Sequence, residues 1–177
     1  MSGLSSNESV GIIIARFQVP ELHQGHRFLV EEVAARHRDV LIFLGTRGTA
    51  RTRRDPLTFE ERAIMVHEAF PERELALLPL PDHPISNAHW STNIDACIRE
   101  AFPNRHAILY GSRQSFIPLY VGDFSTYEIP AIPCESGTDV RTTLTFPHTR
   151  DARAAIIHAI EHGPSLFFDD QMKNAAG

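Results

Sequence analysis

The chain of 177 residues has almost no lysine: of its 17 basic residues, only Lys173 is a lysine and the others are arginines. A P-loop needs the lysine of its GK[ST] motif, and no lysine stands in such a motif here. Schiff-base catalysis, which needs a reactive lysine, is disfavoured for the same reason. The hydrolase motifs GxSxG and HExxH are also absent. Any phosphate that this protein binds must therefore be held by arginine, histidine or backbone N–H groups.

Cysteine and long apolar runs are scarce as well. Cys97 and Cys134 form no CxxC motif, so the sequence indicates neither a disulfide framework nor a zinc knuckle. No apolar stretch is long enough to cross a membrane, and the first nine residues have no signal-peptide pattern. The net charge of −5 disfavours broad binding of nucleic acid or of an anionic membrane. We therefore expect a cytoplasmic protein with neither nucleic acid nor membrane as a partner.

Apolar runs of strand length alternate with stretches of helical periodicity along most of the chain. Strands are expected at residues 10–16, 40–45, 74–80, 107–111 and 126–132, with helices opening at 23, 58, 86, 136 and 151. Thr58–Glu61 is a capping box at the second helix start, and the apolar stripe of the third helix is expected to include Ala101. This alternation predicts an α/β fold with a doubly wound parallel sheet of the Rossmann-like kind. One domain is expected over residues 10–162, between a disordered N-terminus (1–9) and a C-terminal tail (163–177).

The most informative motif lies between the first strand and the first helix. There, His23-Gln24-Gly25-His26 opens the helix just beyond the carboxyl end of the strand. Phosphate-bearing ligands bind at this position in open α/β sheets, because the free N–H groups of the helix terminus lie there. Gly25 has no Cβ, so a nucleotide could lie close to the backbone. The pattern predicts transfer of a nucleotidyl group, and a capped helix start with solvated imidazoles is the alternative.

Together with two later segments, this motif resembles the nucleotidyltransferase α/β-phosphodiesterase superfamily. The similarity is greatest to archaeal-type nicotinamide-mononucleotide adenylyltransferases and to the transferase half of bifunctional transferase–Nudix proteins. Residues Ala15–His26 look like the family's Gly-Arg-Phe-Gln-Pro-Phe-His-x-Gly-His segment. Asp55–Arg62 looks like Asn-Pro-Phe-Thr-x-x-Glu-Arg, and Ser136–Arg141 matches Ser-x-Thr-x-x-Arg. The resemblance runs in a consistent order over about residues 10–145.

The chain departs from the family pattern in two places. The loop after the first strand is two residues longer than usual, and Ala15 replaces the first glycine of the motif. Both changes lie beside the expected substrate phosphate, so the acceptor can differ from the usual one. The Nudix signature is absent, and residues 146–177 are too few to hold that domain.

The resemblance implies that a substrate phosphate attacks the α-phosphorus of ATP in line and that pyrophosphate leaves, with Mg²⁺ bridging the ATP oxygens. The implied catalytic residues are His23, His26 and Arg141. The residues implied in ATP or phosphate binding are Arg16, Phe17, Gly25, Gly111, Arg113, Ser136, Gly137 and Thr138. Those implied in substrate binding are Gln18, Gly45, Arg47, Asn87 and Trp90. Nucleotides are the implied partners, a homo-oligomer is compatible with the family, and no side chain is expected to ligate a metal.

Some of these residues have a second interpretation. Trp90 suits a core position as well as contact with a nicotinamide ring. Arg47 begins an arginine-rich stretch up to Arg54, which suits a solvated loop or a lid that closes over phosphates. His158 and His162 are one helical turn apart, but without a third ligand they fit a polar helix face better than a metal site.

For the whole chain, the resemblance implies transfer of AMP from ATP to nicotinamide or nicotinate mononucleotide. Two alternatives stay open. One is a transferase of the same superfamily that uses another phosphorylated acceptor or CTP. The other is a module that senses nucleotides without turning them over.

Overall fold

A computed structural model of the chain describes residues 9–47, 52, 55–82, 86–113 and 115–133. The elements within these ranges are β1 (Ser9–Ala15), α1 (Gln24–Arg36), β2 (Val40–Thr46), α2 (Phe59–Ala69), β3 (Leu75–Pro81), α3 (Asn87–Ala101), β4 (His106–Gly111) and β5 (Ser125–Glu128). The strands form one sheet in the order β3-β2-β1-β4-β5, and every neighbouring pair is parallel. The predicted α/β fold with a parallel sheet is confirmed.

The central strands are apolar throughout because helices cover both faces of the sheet. Successive residues of a strand point to opposite faces. Ile13 of β1 and Ile42 of β2 therefore join the core beside α1 and α2. Ile12 and Leu41, their chain neighbours, join the core beside α3. All four side chains are fully buried, so the sheet is doubly wound as predicted.

Local capping signals place the start of two helices. The capping box predicted at Thr58 is present: the Glu61 carboxylate accepts the Thr58 N–H at 2.8 Å, and the Thr58 hydroxyl accepts the Glu61 N–H at 3.3 Å. The Ser86 hydroxyl caps α3 by accepting the His89 N–H at 3.1 Å. Both caps direct the helices away from the carboxyl ends of the strands that precede them.

Several boundaries differ from the expectation by a few residues. β1 begins at Ser9, one residue earlier than expected, and β5 ends at Glu128 rather than at residue 132. Ala101, expected on the apolar stripe of α3, is exposed because it is the last helical residue. A short 3₁₀ turn at Ile117–Leu119 was not expected. The helices expected from residues 136 and 151, and the domain end at 162, lie outside the described residues.

The strand order creates a crevice at the carboxyl ends of the strands. After β1 the chain builds outward through β2 to β3, and then returns to the other side of β1 as β4. The connections that leave β1 and β4 therefore diverge, which is the usual position of ligands in open α/β sheets. In the part of the chain that the structure describes, no helix has both the length and the apolar character needed to span a membrane.

Candidate active site

A cleft of about 1060 Å³ opens at this crevice. The predicted site residues that line it are Arg16, Phe17, Gln18, His26, Gly45, Arg47, Asn87, Trp90 and Arg113. They come from the ends of β1, β2 and β4 and from the N-termini of α1 and α3. Residues that are up to 97 positions apart in the sequence therefore share one cavity, of the size that binds small molecules.

The two histidines of the motif lie at the N-terminus of α1. His23 is the N-cap, and its Nδ1 accepts the N–H groups of Gly25 at 3.2 Å and His26 at 3.4 Å. A ring nitrogen that accepts carries no proton, so these bonds select the tautomer with its proton on Nε2. The imidazole rings stack with their centroids 3.6 Å apart. The capped helix start is thus present, and it leaves His23 able to donate from Nε2.

Phe17 joins β1 to the histidine pair through an unusual backbone conformation. Its φ of 47° lies in the left-handed region, which residues with a side chain rarely adopt. The phenyl ring is buried, and its centroid lies 4.6 Å from that of His26. Backbone strain of this kind persists where the surroundings enforce it, and it is often found at functional sites. The packing of Phe17 therefore fixes the loop and supports one side of His26.

Beside the histidines lies a cluster of four charged residues, which we call the arginine–aspartate cluster: Arg16, Arg47, Asp55 and Asp82. Arg16 Nη2 donates to both carboxylate oxygens of Asp82, at 2.6 and 2.7 Å. Arg47 donates from Nε to Asp82 at 2.8 Å and from Nη1 to Asp55 at 3.1 Å. Asp55 also lies 3.8 Å from Arg16 Nη1. The two guanidinium groups are therefore held between two carboxylates.

The cluster sets the charge state of its members. Burial by itself would raise the pKa of Asp82, but the hydrogen bonds from Arg16 and Arg47 outweigh it and hold that pKa below its usual value. The hydrogen bond to Asp82 raises the pKa of Arg47. A Cβ at Gly45 would touch the Arg16 side chain, so the glycine backbone lies along that side chain. The Arg47 side chain is 27% exposed. The interpretation of the stretch up to Arg54 as a solvated loop or a lid stays a prediction, because Arg51, Arg53 and Arg54 lie outside the described residues.

Arg62 stabilises the backbone that carries the cleft, although no role was predicted for it from the sequence. Its side chain is 1% exposed. It donates from Nη1 to the carbonyls of Arg16 at 2.7 Å and Gly45 at 2.9 Å, and from Nε to that of Thr58 at 3.0 Å. The ends of β1 and β2 are therefore tied to the start of α2 by one buried guanidinium.

Gln18 performs a related task on the other side of the loop. Its amide donates to the Leu57 carbonyl at 3.0 Å and accepts the Leu57 N–H at 2.9 Å. The residue is 3% exposed. The two bonds join the loop after β1 to the segment before α2. Both polar atoms of the Gln18 amide are thus bonded to the backbone of Leu57. Contact of this amide with a substrate stays a prediction.

Part of the cleft lining is apolar. Trp90 lines the cleft and also packs against the core beside α3, which fits the core interpretation, and its contact with a nicotinamide ring stays a prediction. Its ring meets Phe116 edge-on, with the centroids 6.1 Å apart. Leu80 and Leu119 contribute further apolar surface, and Asn87 lies at the first position of α3.

The remaining predicted residues differ in their position. His23, Gly25 and Gly111 are not among the residues that line the cleft, so of the two motif histidines only His26 lines it. Gly111 is buried, and a Cβ there would lie 2.5 Å from the Cβ of Ser115, so close packing of the following turn explains it. Arg113 is exposed at the rim. The residues that lie outside the described ranges are Ser136, Gly137, Thr138, Arg141, Arg51, Arg53, Arg54, His158 and His162.

Three functional candidates were missed by sequence reasoning: Asp55, Arg62 and Asp82. Asp55 and Arg62 belong to the second matched segment, so their place in that motif was a usable signal. Asp82 comes directly after an apolar strand. A polar residue at the carboxyl end of a parallel strand was therefore a usable signal for Asp82.

Solved structures define the class of the fold. A bifunctional NMN adenylyltransferase/ADP-ribose pyrophosphatase from Francisella tularensis, crystallised with AMP and a Mn ion, superposes with a TM-score of 0.66. The superposition covers 77% of this chain and 41% of that chain, at 17% identity. This chain therefore shares the Rossmann-like α/β fold of that structure.

Sequence comparison narrows the similarity, although no family model matches the chain. The nicotinamide-nucleotide adenylyltransferase of Halorubrum lacusprofundi is 31% identical over 111 residues, which are 62% of this chain and 59% of that protein. The enzyme of the same name from Thermococcus kodakarensis is 35% identical over 89 residues, 48% of this chain and 46% of that protein. The predicted resemblance to archaeal nicotinamide-nucleotide adenylyltransferases is confirmed. The match spans about half the length of these relatives.

Proposed function

We propose that this protein transfers AMP from ATP to nicotinamide or nicotinate mononucleotide, forming a dinucleotide and releasing pyrophosphate. The observation that carries the proposal is the single cleft that His26, Arg16, Arg47 and Trp90 line together. Its lining combines side chains that can donate to phosphate with an aromatic ring. The relatives named nicotinamide-nucleotide adenylyltransferase support the choice of acceptor.

The chemistry needs positioning and charge stabilisation but no protein nucleophile. The phosphate of the mononucleotide attacks the α-phosphorus of ATP, and negative charge grows on the α-phosphate oxygens and on the departing pyrophosphate. His23 and His26 would donate to these oxygens at the N-terminus of α1, where the helix dipole also favours negative charge. Losing one such donor typically costs about 3 kcal/mol of transition-state stabilisation.

The two substrates would divide the cleft between them. Arg16 and Arg47, at the ends of β1 and β2, are the proposed ligands of a substrate phosphate. The pyridine ring would lie against Trp90, with Asn87 able to bond its carboxamide or carboxylate. Arg113 would contact the ATP side. Arg141, with Ser136, Gly137 and Thr138, is proposed to complete the phosphate cradle, as the resemblance implies.

Mg²⁺ is proposed to enter as part of the ATP complex, held mainly by phosphate oxygens and water. The similar Francisella tularensis protein was crystallised with AMP and a Mn ion, which supports a divalent metal beside the nucleotide. Asp82, the carboxylate that lines the cleft, is engaged by two arginines. The cytoplasmic location and a homo-oligomeric state stay predictions.

Pyrophosphate release tests the proposal directly. The purified chain is incubated with Mg²⁺ and either ATP or CTP, across a panel of phosphorylated acceptors that includes both pyridine mononucleotides. Turnover with ATP and a pyridine mononucleotide is the expected result. Turnover with only another acceptor, or with CTP, would keep the class and replace the substrate. Nucleotide binding without turnover would favour the sensing module.

Two single histidine variants test whether His26 is a catalytic donor. His26→Ala is expected to lower kcat by about 100-fold, because one donor to the transition state is lost. His106→Ala is the matched control: this exposed histidine begins β4, at the opposite edge of the sheet from the cleft. If His26→Ala stays within a few-fold of the unmodified protein, the catalytic role of His26 is wrong.

A further inference from the structure

The carboxylate of Asp82 occupies Arg16 Nη2 and Arg47 Nε, two of the arginine donors that a substrate phosphate could use. We propose that Asp82 is an internal competitor of the substrate phosphate: it aligns Arg16 and Arg47, and it must release them when a phosphate binds. This inference rests on the proposed function only in assigning a substrate phosphate to these two arginines.

Asp82 is hydrogen-bonded to one donor group of Arg16 and to one of Arg47, both of which line the cleft. Both oxygens of its carboxylate accept from Arg16 Nη2, and one of them also accepts from Arg47 Nε, all within 2.8 Å. A carboxylate and a phosphate have the same preference for guanidinium groups, because both present several anionic oxygens to N–H donors. A phosphate that binds these N–H groups therefore takes the place of the Asp82 oxygens.

The two carboxylates of the cluster are not equivalent. The Asp55 side chain is 7% exposed, and its residue is not among those that line the cleft. Its backbone is fixed by a hydrogen bond from its N–H to the Thr52 hydroxyl at 3.0 Å. The Asp82 side chain is 34% exposed and lines the cleft. Asp82 is therefore the carboxylate that can move aside, while Asp55 keeps its hydrogen bond with Arg47 and its 3.8 Å ion pair with Arg16.

The charge of the cluster gives the direction of the effect. The two arginines and two aspartates cancel formally, so an approaching phosphate dianion meets a neutral group rather than a cationic one. Neutralising Asp82 would leave one net positive charge and two unoccupied N–H directions. Because Asp55 remains hydrogen-bonded to Arg47 and paired with Arg16 at 3.8 Å, the phosphate site should bind more tightly after this change.

The experiment measures phosphate affinity without the reaction. Inorganic phosphate and, separately, nicotinamide mononucleotide are titrated calorimetrically into the unmodified chain and into Asp82→Asn, at low and moderate salt. Asp82→Asn is expected to bind both about three- to tenfold more tightly, and the gain should shrink with added salt. Unchanged or weaker binding by a folded Asp82→Asn would overturn the proposal.

Two further variants locate the effect. Asp123→Asn removes an exposed carboxylate that pairs with Arg99 on the surface, and it should leave phosphate affinity unchanged. In Arg47→Ala combined with Asp82→Asn, the gain should disappear, because one of the two donors is gone. If the gain persists in the double variant, the phosphate binds elsewhere and the proposal is wrong. Asp82→Ser serves the same purpose should Asp82→Asn fail to fold.

A measurement on the unmodified chain makes the test independent of any variant. The Arg47 Nε–H group donates to Asp82, so its side-chain NMR resonance should shift when inorganic phosphate is added. A resonance that does not move at saturating phosphate contradicts the exchange. These binding tests use no ATP, so they can fail while pyrophosphate release succeeds, and the reverse. The two proposals are therefore refuted by different observations.

Discussion

Arg62 offers the sharpest test of how the cleft is built, because one buried side chain ties three backbone segments together. Replacing it with methionine keeps much of the volume but removes the guanidinium. The carbonyls of Arg16 and Gly45 then lose donors at 2.7 and 2.9 Å. Thr58 keeps a partner, since its carbonyl also accepts the Arg62 backbone N–H at 3.4 Å.

The cost follows from the two carbonyls that are left without this donor. Hydrogen bonds from a charged group contribute about 1.5–3 kcal/mol each, so Arg62→Met should lower the free energy of unfolding by about 4 kcal/mol. Burial lowers the pKa of Arg62, and the nearby Asp55 charge partly offsets that effect. Desolvation of the buried guanidinium offsets part of the contribution of these bonds, so we expect about 4 kcal/mol, in the lower half of the range of about 3–6 kcal/mol that two such bonds span. At about 3 °C per kcal/mol for a chain of this size, the Tm should fall by about 12 °C.

Urea unfolding and thermal melting measure this loss, and pyrophosphate release measures its effect on the site. Arg62→Lys should recover part of the stability, because one ammonium can replace some but not all of the donors. Arg99→Met, which removes an exposed arginine that pairs with Asp123, is the control and should cost less than about 1 kcal/mol. A loss below about 1 kcal/mol in Arg62→Met would refute the reasoning, since the strand ends would then be held by other contacts.

Three other changes have defined outcomes. Burial lowers the pKa of His37, and the hydrogen bond with the Ser9 backbone only partly offsets this effect. Below about pH 6.5 the unfolded chain therefore binds more protons than the folded chain. Stability in urea should fall as the pH drops through that value, and His37→Gln should flatten the dependence. Gln18→Ala should lower the free energy of unfolding by about 2 kcal/mol, because the Leu57 backbone loses two buried hydrogen-bond partners. Asn93→Ala, at an exposed position, is the control and should change the stability very little. Equal melting temperatures of the two variants would refute the role of Gln18 in joining the two segments. Trp90→Ala should raise the KM for the pyridine mononucleotide by up to about tenfold and leave the KM for ATP unchanged. Trp90→Phe should recover most of this loss. An equal rise in KM for both substrates would contradict the placement of the pyridine ring against Trp90.

The fold was accessible from sequence because its signals are local. Alternating apolar runs predicted the strands, and the Thr58 capping box, with its partners three residues apart, marked the start of α2 at the residue where the structure has it. The end of β5 was misjudged because the strand is short, exposed and lacks a burial pattern. The histidine motif was also local, and it correctly placed His26 at the cleft.

The sequence by itself determined the element order, the parallel sheet and the residue types that could meet a phosphate. Only the tertiary structure decided which of these residues meet one another. Arg16 and Asp82 are 66 residues apart and Arg47 and Asp82 are 35 apart, and no periodicity links such pairs. Parallel strands bring them together because their carboxyl ends end on the same edge of the sheet. The sequence therefore determined which chemical groups the site contains, and the tertiary structure determined which of them pair with one another.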